Sequence, residues 1–337
     1  MRPMRNRLTV VLAVILGVAL TGARVVRLPY VSEGPGPTHD VVSLISVSGH
    51  ETYPPTGHLL LTTVSISSER LTPLQLFVSW LDPHEDVLPE SDFVQPGETL
   101  QEETTLQRYA MDQSQLDATV VALSKVGDYP DDHLPGAIVE STVEGCDAAG
   151  KLFSGNVITA INGEPIADSR EASKLIDATA PGKPIVFVAK AGSKDVTVTL
   201  KRSDCGPHGG MYVGVVLMNN FPFRVDISDA GIGGPSAGMM FSLGLYDVLT
   251  PGDLTGGRII AGTGQIGPDG TVYPIGGVEK KVYAAQKAGA VMFLVPKQDY
   301  AAAKAAGVDI QLVSVSNFDE ALRALSSDTV GDTGKGA

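Results

Sequence analysis

Several residue types and motifs are scarce in this chain of 337 residues, and each scarcity excludes a class of protein. The chain holds two cysteines, and Cys205 with His208 is no zinc site, because structural zinc takes four ligands. No histidine or cysteine follows His208, so a Ser-His-Asp triad cannot be built from residues 209–337 alone. The sequence contains neither an H-E-x-x-H motif nor a G-x-x-x-x-G-K-[ST] phosphate loop. We therefore expect no metal and no other cofactor, and no ATP-driven motor within this chain.

Basic residues are outnumbered, with 25 Lys and Arg against 38 Asp and Glu, for a net charge of −13. A negative chain repels phosphate backbones, which disfavours nucleic acid as a partner. Aromatic residues make up only 6%, whereas the 38 glycines favour many turns. At 43% hydrophobic residues, the chain is able to bury the cores of two or three modest domains.

The two cysteines, Cys146 and Cys205, leave two interpretations open. They form a disulfide if the chain works outside the cytoplasm, or they are two unrelated buried thiols.

The N-terminus is the longest apolar run of the chain. Arg2, Arg5 and Arg7 precede the uncharged residues 8–23 (LTVVLAVILGVALTGA). As a helix this run rises about 24 Å, and its basic start favours a cytoplasmic N-terminus with the rest of the chain on the other side. We predict a retained single-pass anchor within residues 1–28. A cleaved signal peptide is the alternative, because 21–23 (TGA) resembles a small-residue cleavage site.

The region after the anchor contains strand-like and helical segments. Residues 29–40 are rich in Pro and Gly and predict a linker leaving the membrane, within an N-terminal extracytoplasmic region over 29–125. Strands are predicted at Val41–Val47 and His58–Ile66, and apolar residues at helical spacing predict a helix over 100–126. The small polar residues 326–337 predict a disordered tail.

A second region begins near residue 126 and is rich in strands. Its segment Ser154–Ile166 (SGNVITAINGEPI) resembles the G-D-x-I-x-x-I-N-G core of bacterial PDZ domains, with Asn156 in place of Asp. The pair Asn162-Gly163 supplies the positive φ angles of a tight turn. This resemblance implies a PDZ domain over 126–204, which strand His58–Ile66 is able to complete from upstream. The usual carboxylate-binding loop is not evident.

The most enzyme-like segment is glycine-rich and runs over 231–238 (GIGGPSAG), just before an apolar helix. Ser236 falls at the start of that helix, where free N–H groups and the dipole favour an alkoxide or an oxyanion. An ordinary N-cap serine is the alternative.

A lysine in a later helix supplies the missing base. Lys281 shares one helical face with Ala284, Ala285 and Ala288, and burial of such a face lowers the pKa of the lysine. A neutral lysine is able to take the proton of a serine hydroxyl. Lys280 points about 100° away on the helix and is expected to be solvated.

Three ordered motifs carry a second resemblance: 234–238 (GPSAG), 263–266 (TGQI) and 274–281 (PIGGVEKK). They resemble the signatures of the Lon family proteolytic domain. The resemblance implies that Ser236 is the nucleophile, that Lys281 is the general base, and that Thr263 orients the lysine. It also implies that Gly234 and Ala237 form the turn and the oxyanion site. Gly233, where many relatives have Asp, and Gln265, where they have Glu, are departures.

The whole chain resembles the bacterial membrane-anchored, PDZ-containing Lon-like proteases. The expected fold is α+β: an anchor, a strand-rich PDZ-like domain, and a Lon-type proteolytic domain over 205–325. The expected function is an ATP-independent serine endopeptidase in the cell membrane, with its catalytic domain outside the cytoplasm. Its expected partners are unfolded or flexible polypeptides, and the resemblance implies a homo-hexamer. A catalytically inactive PDZ scaffold is the alternative, and self-cleavage is a second use of the same chemistry.

Overall fold

The computed structural model describes residues 22–94, 100–205 and 210–327 of the chain. Nearly all of the predicted anchor, and nearly all of the predicted tail, lies outside these ranges. Within them, no helix is both long enough and apolar enough to cross a bilayer.

The described residues form seven helices and eighteen strands, besides short 3-10 turns. The helices are α1 (Pro73–Leu81), α2 (Leu100–Val126), α3 (Ser169–Ala178), α4 (Gly238–Leu249), α5 (Val278–Lys287), α6 (Tyr300–Ala305) and α7 (Phe318–Ser327). The strands are β1 (Tyr30–Asp40), β2 (Ile45–Ser48), β3 (His58–Ile66), β4 (Asp86–Pro89), β5 (Ala137–Thr142), β6 (Val157–Ile161), β7 (Glu164–Pro165), β8 (Pro184–Ala191), β9 (Lys194–Lys201), β10 (Ser203–Asp204), β11 (Met211–Tyr212), β12 (Val215–Asn219), β13 (Arg224–Ile227), β14 (Ile259–Gly262), β15 (Gln265–Ile266), β16 (Val272–Tyr273), β17 (Met292–Pro296) and β18 (Gln311–Val315). The predicted helix over 100–126 is confirmed as α2, and the predicted strand His58–Ile66 as β3.

One six-stranded sheet forms the centre of the larger unit, in the order β18-β17-β14-β3-β1-β4. Strands β3, β14, β17 and β18 run parallel to one another, whereas β1 is antiparallel to β3 and to β4. Successive side chains of a strand point to opposite faces, so Leu59 and Leu61 join the core formed with α2, α4 and α7. Leu60 packs on the other face, against the core formed with α5 and α6. The sheet is therefore covered by helices on both faces.

The prediction of a linker at 29–40 is wrong, because Tyr30–Asp40 is strand β1 of this sheet. Proline removes a ladder donor and is tolerated at sheet edges and bulges. Both conditions hold here: β4 pairs only with residues 30–33, and a register shift lies between Pro35 and Thr38. Strand β3 also pairs with β1 and β14, so it completes this sheet and not the PDZ-like domain.

The smaller unit is a sheet in the order β12-β5-β6-β8-β9, with α3 packed on it around its own apolar core. The predicted turn is confirmed, with φ of 51° at Asn162 and 83° at Gly163. The predicted boundary after residue 204 differs from the pairing, because Val215–Asn219 forms the edge strand beside β5. This unit is thus an insertion between α2 and β13, with the strands of the larger sheet on both sides of it in sequence.

Candidate active site

Ser236 lies in a short 3-10 turn, Pro235–Ala237, that leads directly into α4. The turn starts at Gly234, whose φ of 90° is a conformation that favours glycine. Helix α2 holds the turn from below: Gly234 N donates to Gln107 O at 2.7 Å, and Ser114 Oγ donates to Pro235 O at 2.9 Å. The turn that carries the serine is therefore hydrogen-bonded to the long helix α2 at two places.

Lys281 lies in the first turns of α5, which follows Gly277, and only 2% of its surface is exposed. Its Nζ donates to Ser236 Oγ at 2.8 Å and to Thr263 Oγ1 at 3.3 Å. The structure thus brings the three residues named from the sequence motifs into one hydrogen-bonded group.

Thr263 follows the last residue of β14 and is fully buried. Its Oγ1 donates to Ser236 O at 3.1 Å, and the next residue, Gly264, donates its N–H to the same oxygen at 2.8 Å. One threonine hydroxyl therefore contacts both the lysine amine and the serine main chain, which fixes their separation.

The electrostatics of Lys281 follow from its burial. Desolvation lowers the pKa of Lys281 from 10.5 to about 8, and the carboxylates of Asp299 and Glu33 oppose this shift. Burial also raises the pKa of Glu33, as does the carboxylate of Asp86. The neutral fraction of Lys281 near neutral pH is therefore larger than that of a solvated lysine.

The neighbouring lysine differs from the expectation. Lys280 was expected to be solvated, but only 13% of its side chain is exposed and its Nζ lies 2.8 Å from Asp86 Oδ2. Because α5 packs on β1, a side chain 100° from Lys281 reaches the adjacent strand β4 rather than open solvent.

Ser236 and Lys281 open into a cleft of about 380 Å³. Its walls come from the β1 edge, the end of β3, the 230–237 loop and α2, through Pro37, His39, Leu61, Thr62, Thr63, Val64, Ser65, Ile66, Met111, Ala230, Gly231, Ile232, Gly233 and Ala237. Strand β14 ends at Gly262, so residues 63–66 of β3 have no strand partner on that side among the described residues. The cleft therefore offers a strand edge beside the serine, as an extended peptide needs.

Sequence reasoning missed most of these cleft walls. No sequence motif marks His39, Met111 or Ser114 as part of the site. The signal for Ser114 is its place on the apolar face of α2, where a polar residue needs a partner. Of the residues predicted for the turn and the oxyanion site, Ala237 lines the cleft. The N–H of Gly234 is engaged with Gln107, so Gly234 supplies the turn.

A second, larger cavity of about 520 Å³ lies in the smaller unit, between α3 and edge strand β12. Val213, Gly214 and Val215 line this cavity, in a position suited to bind the end of an added strand. The sequence pattern did not reveal a carboxylate-binding loop in this place. Cys146 lines the cavity too and is joined to Cys205 by a disulfide.

Comparison with known proteins addresses the part of the chain that carries Ser236, Thr263 and Lys281. Residues 227–326 match the family model of the Lon protease (S16) C-terminal proteolytic domain. This region is similar to the proteolytic domain of Lon proteases. The match supports a serine peptidase, and it covers the turn of Ser236 as well as α5.

The curated relatives are similar over the same part of the chain. Lon protease 2 of Bacillus subtilis is 34% identical over 105 residues, which are 31% of this chain and 17% of the relative. Lon protease of Campylobacter concisus is 36% identical over 98 residues, which are 27% of this chain and 12% of the relative. The chain therefore spans only a small share of the relatives that it matches.

Solved structures of PDZ domains are similar to about a quarter of the chain. The PDZ domain of the SdrC-like protein from Listeria monocytogenes is 26% identical, covers 24% of this chain and 86% of its own, and has a TM-score of 0.22. The corresponding domain from Listeria innocua is 28% identical, covers 24% of this chain and 92% of its own, and has a TM-score of 0.23.

Proposed function

We propose that this protein is an ATP-independent serine endopeptidase with a Ser236–Lys281 dyad, which cleaves unfolded or flexible polypeptides. The single observation that carries this proposal is the distance of 2.8 Å between Lys281 Nζ and Ser236 Oγ, at a lysine that is almost fully buried. A general base must reach the proton that it abstracts, and it must be neutral when it does so. Both conditions are supported here.

The mechanism follows from the geometry of the site. Ser236 Oγ attacks the substrate carbonyl carbon while Lys281 Nζ takes the hydroxyl proton. The N-terminal end of α4, next to Ala237, favours the negative charge that develops on the carbonyl oxygen. Lys281 then protonates the amine of the leaving peptide. In the second half of the reaction, Lys281 Nζ takes a proton from water, which hydrolyses the acyl-enzyme, and returns it to Ser236 Oγ. Thr263 holds Lys281 Nζ in place throughout.

The expected substrate class follows from the cleft and from the absence of a phosphate loop in the sequence. A peptide laid beside Thr63–Ile66 as an extra strand has to be extended, which suits flexible tails and unfolded chains. The sequence carries no G-x-x-x-x-G-K-[ST] motif, so we expect hydrolysis without ATP.

The proposed location is the extracytoplasmic side of the cell membrane, with residues 8–23 as the anchor. The disulfide between Cys146 and Cys205 supports a location outside the reducing cytoplasm. The cavity between α3 and β12 supports a second role for the smaller unit, which is capture of a substrate strand or regulation by a peptide.

We predict that purified full-length protein hydrolyses casein without ATP, and that Ser236→Ala and Lys281→Ala each lower the rate by at least about a thousandfold. The measurement is the release of labelled peptide fragments. Both losses are expected because neither residue replaces the other in proton transfer.

Lys287→Ala is the matched control, because this lysine lies exposed on the same helix as Lys281. Its rate should equal that of the wild type. Activity that survives in Ser236→Ala or Lys281→Ala would contradict the proposed dyad. A wild-type protein that is inactive and also fails to react with a serine-directed probe would favour the catalytically inactive scaffold.

A further inference from the structure

Helix α1 has its apolar residues on the outside. It carries no charged residue, and the one residue that it buries is Ser79. Leu74, Phe77, Val78 and Leu81 are 42%, 54%, 60% and 61% exposed. These four lie at i, i+3, i+4 and i+7, so they form one stripe along the helix.

The helix is well formed despite this exposure. Thr72 and Gln75 make a reciprocal capping box, in which Gln75 N donates to Thr72 Oγ1 and Thr72 N donates to Gln75 Oε1. Trp80 flanks the stripe and is 70% exposed. A capped helix that presents a continuous apolar stripe to solvent indicates a surface that another phase or molecule covers.

The place of α1 in the chain indicates what covers it. Arg27 Nη1 donates to Arg70 O at 2.9 Å and to Gln75 Oε1 at 3.4 Å, and Arg27 also pairs with Glu69. The side chain of Arg27 therefore reaches the first turn of α1. The apolar run 8–23 ends four residues before that arginine.

Exposed apolar residues also lie just after that run. Val25 and Val26 are 68% and 53% exposed, and Leu28 N donates to Leu71 O just before α1. Tryptophan is typical of the membrane–water interface, and helices that lie in that plane carry Trp, Phe and Leu on their apolar face.

We infer that α1 is a membrane-surface helix, which rests its stripe of Leu74, Phe77, Val78 and Leu81 in the lipid headgroup region. This inference rests on the anchor in the proposed function. It adds that the peptidase unit contacts the bilayer through the apolar stripe of α1, and not through the anchor alone. Such a contact fixes the orientation of the larger sheet, and with it the cleft, relative to the membrane.

Trp80 is the sole tryptophan of the chain, so it reports on this helix without any substitution. The experiment uses the full chain in phosphatidylcholine vesicles, with and without bromine on the acyl chains near the headgroups. Brominated lipid is expected to quench the emission about twofold, since interfacial helices bury their apolar face roughly 5–10 Å. Val78→Ser with Leu81→Ser should abolish most of this quenching. Val291→Ser, which changes an equally exposed valine elsewhere, should not.

Flotation of the same samples separates this inference from the anchor. A chain that floats with the vesicles while Trp80 stays unquenched would overturn the surface helix and leave the anchor standing. Unquenched Trp80 that is also shielded from aqueous acrylamide would identify a second copy of the chain as the cover. A chain that does not float would remove both the anchor and the surface helix.

Discussion

A single residue, Lys281, sets the chemistry of the proposed site. Its amine is almost completely removed from water and donates to the hydroxyls of Ser236 and Thr263, and no carboxylate of the described residues lies within ion-pair distance of it. Burial without a direct ion pair favours the neutral amine, which is the form that a general base requires.

The rate is therefore expected to depend on pH through this lysine. The pKa of Lys281 is lowered from 10.5 to about 8, so the neutral base increases as pH rises and is mostly formed above that value. We predict that kcat/KM increases about tenfold per pH unit below pH 8 and levels off above it. The measurement is a pH profile with a short fluorogenic peptide.

His39→Gln is the control for this profile, because His39 lines the same cleft. The profile should keep its inflection in that variant. A profile whose inflection disappears in that variant would contradict the assignment of the proton to Lys281.

The hydrogen-bonded residues Ser236, Thr263 and Lys281 were marked by local motifs, whereas their surroundings were not. Ser236, Thr263 and Lys281 sit in glycine-bounded segments whose residue order is informative by itself. Ser114 and His39 lie 122 and 197 residues from Ser236 in sequence, and nothing local marks a residue that becomes a neighbour only through the fold. The same holds for Lys280, whose partner Asp86 is on another strand.

Helix α5 packs against the larger sheet through a close approach at its N-terminus. It begins after Gly277, which has φ of 65°, and a Cβ at that position would lie 2.6 Å from Val64 Cγ1 and 2.8 Å from Glu33 Oε1. The helix that carries Lys281 is thus seated directly on β1 and β3. A small displacement of this helix would change the distance from Nζ to Ser236 Oγ.

Gly277→Ala is accordingly expected to destabilise the fold by about 2–3 kcal/mol and to lower kcat at least about tenfold. Gly289→Ala is the matched control at the other end of α5: its φ is 82°, but nothing lies within 4 Å of the added Cβ. The control should lose about 1 kcal/mol and keep its kcat. Urea unfolding and peptide hydrolysis measure the two effects, and equal kcat losses in both variants would contradict the close-approach explanation.

The element with a regular spacing of apolar residues was predicted well. The element whose pairing partners outweigh its Pro and Gly content was not. The regular apolar spacing of α2 predicted its full span, Leu100–Val126. In β1, two prolines and two glycines predicted a linker, but β3 on one side and the short pairing with β4 on the other tolerate them. Tertiary pairing decided the structure of that segment.

At the scale of the molecule, the smaller unit is closed by its own covalent link. The disulfide joins Cys146 and Cys205, which are 59 residues apart in sequence, and the loop that it closes includes β6 to β10. Replacing both cysteines by serine is expected to destabilise this unit by about 4 kcal/mol, because the unfolded chain regains the entropy of that loop. The measurement is urea unfolding of the wild type and the double variant.

Hydrolysis of a short peptide should be unchanged in that double variant, since the loop contributes no wall to the Ser236 cleft. Wild-type protein treated with reductant provides the second control, and it should match the variant in stability. A variant that loses peptide hydrolysis while the sheet of the larger unit stays folded would contradict this separation of the two units.

The sheet of the larger unit has a consequence for the order in which the protein is made. Thr62 and Gly262 are hydrogen-bonded neighbours, although they are 200 residues apart in sequence. Synthesis from the N-terminus therefore completes β1 and β3 well before β14 and α5 are available. Until α5 is in place, Ser236 has no Lys281 amine beside it. The proposed dyad is thus assembled only when the C-terminal part of the chain pairs with strands that were made much earlier.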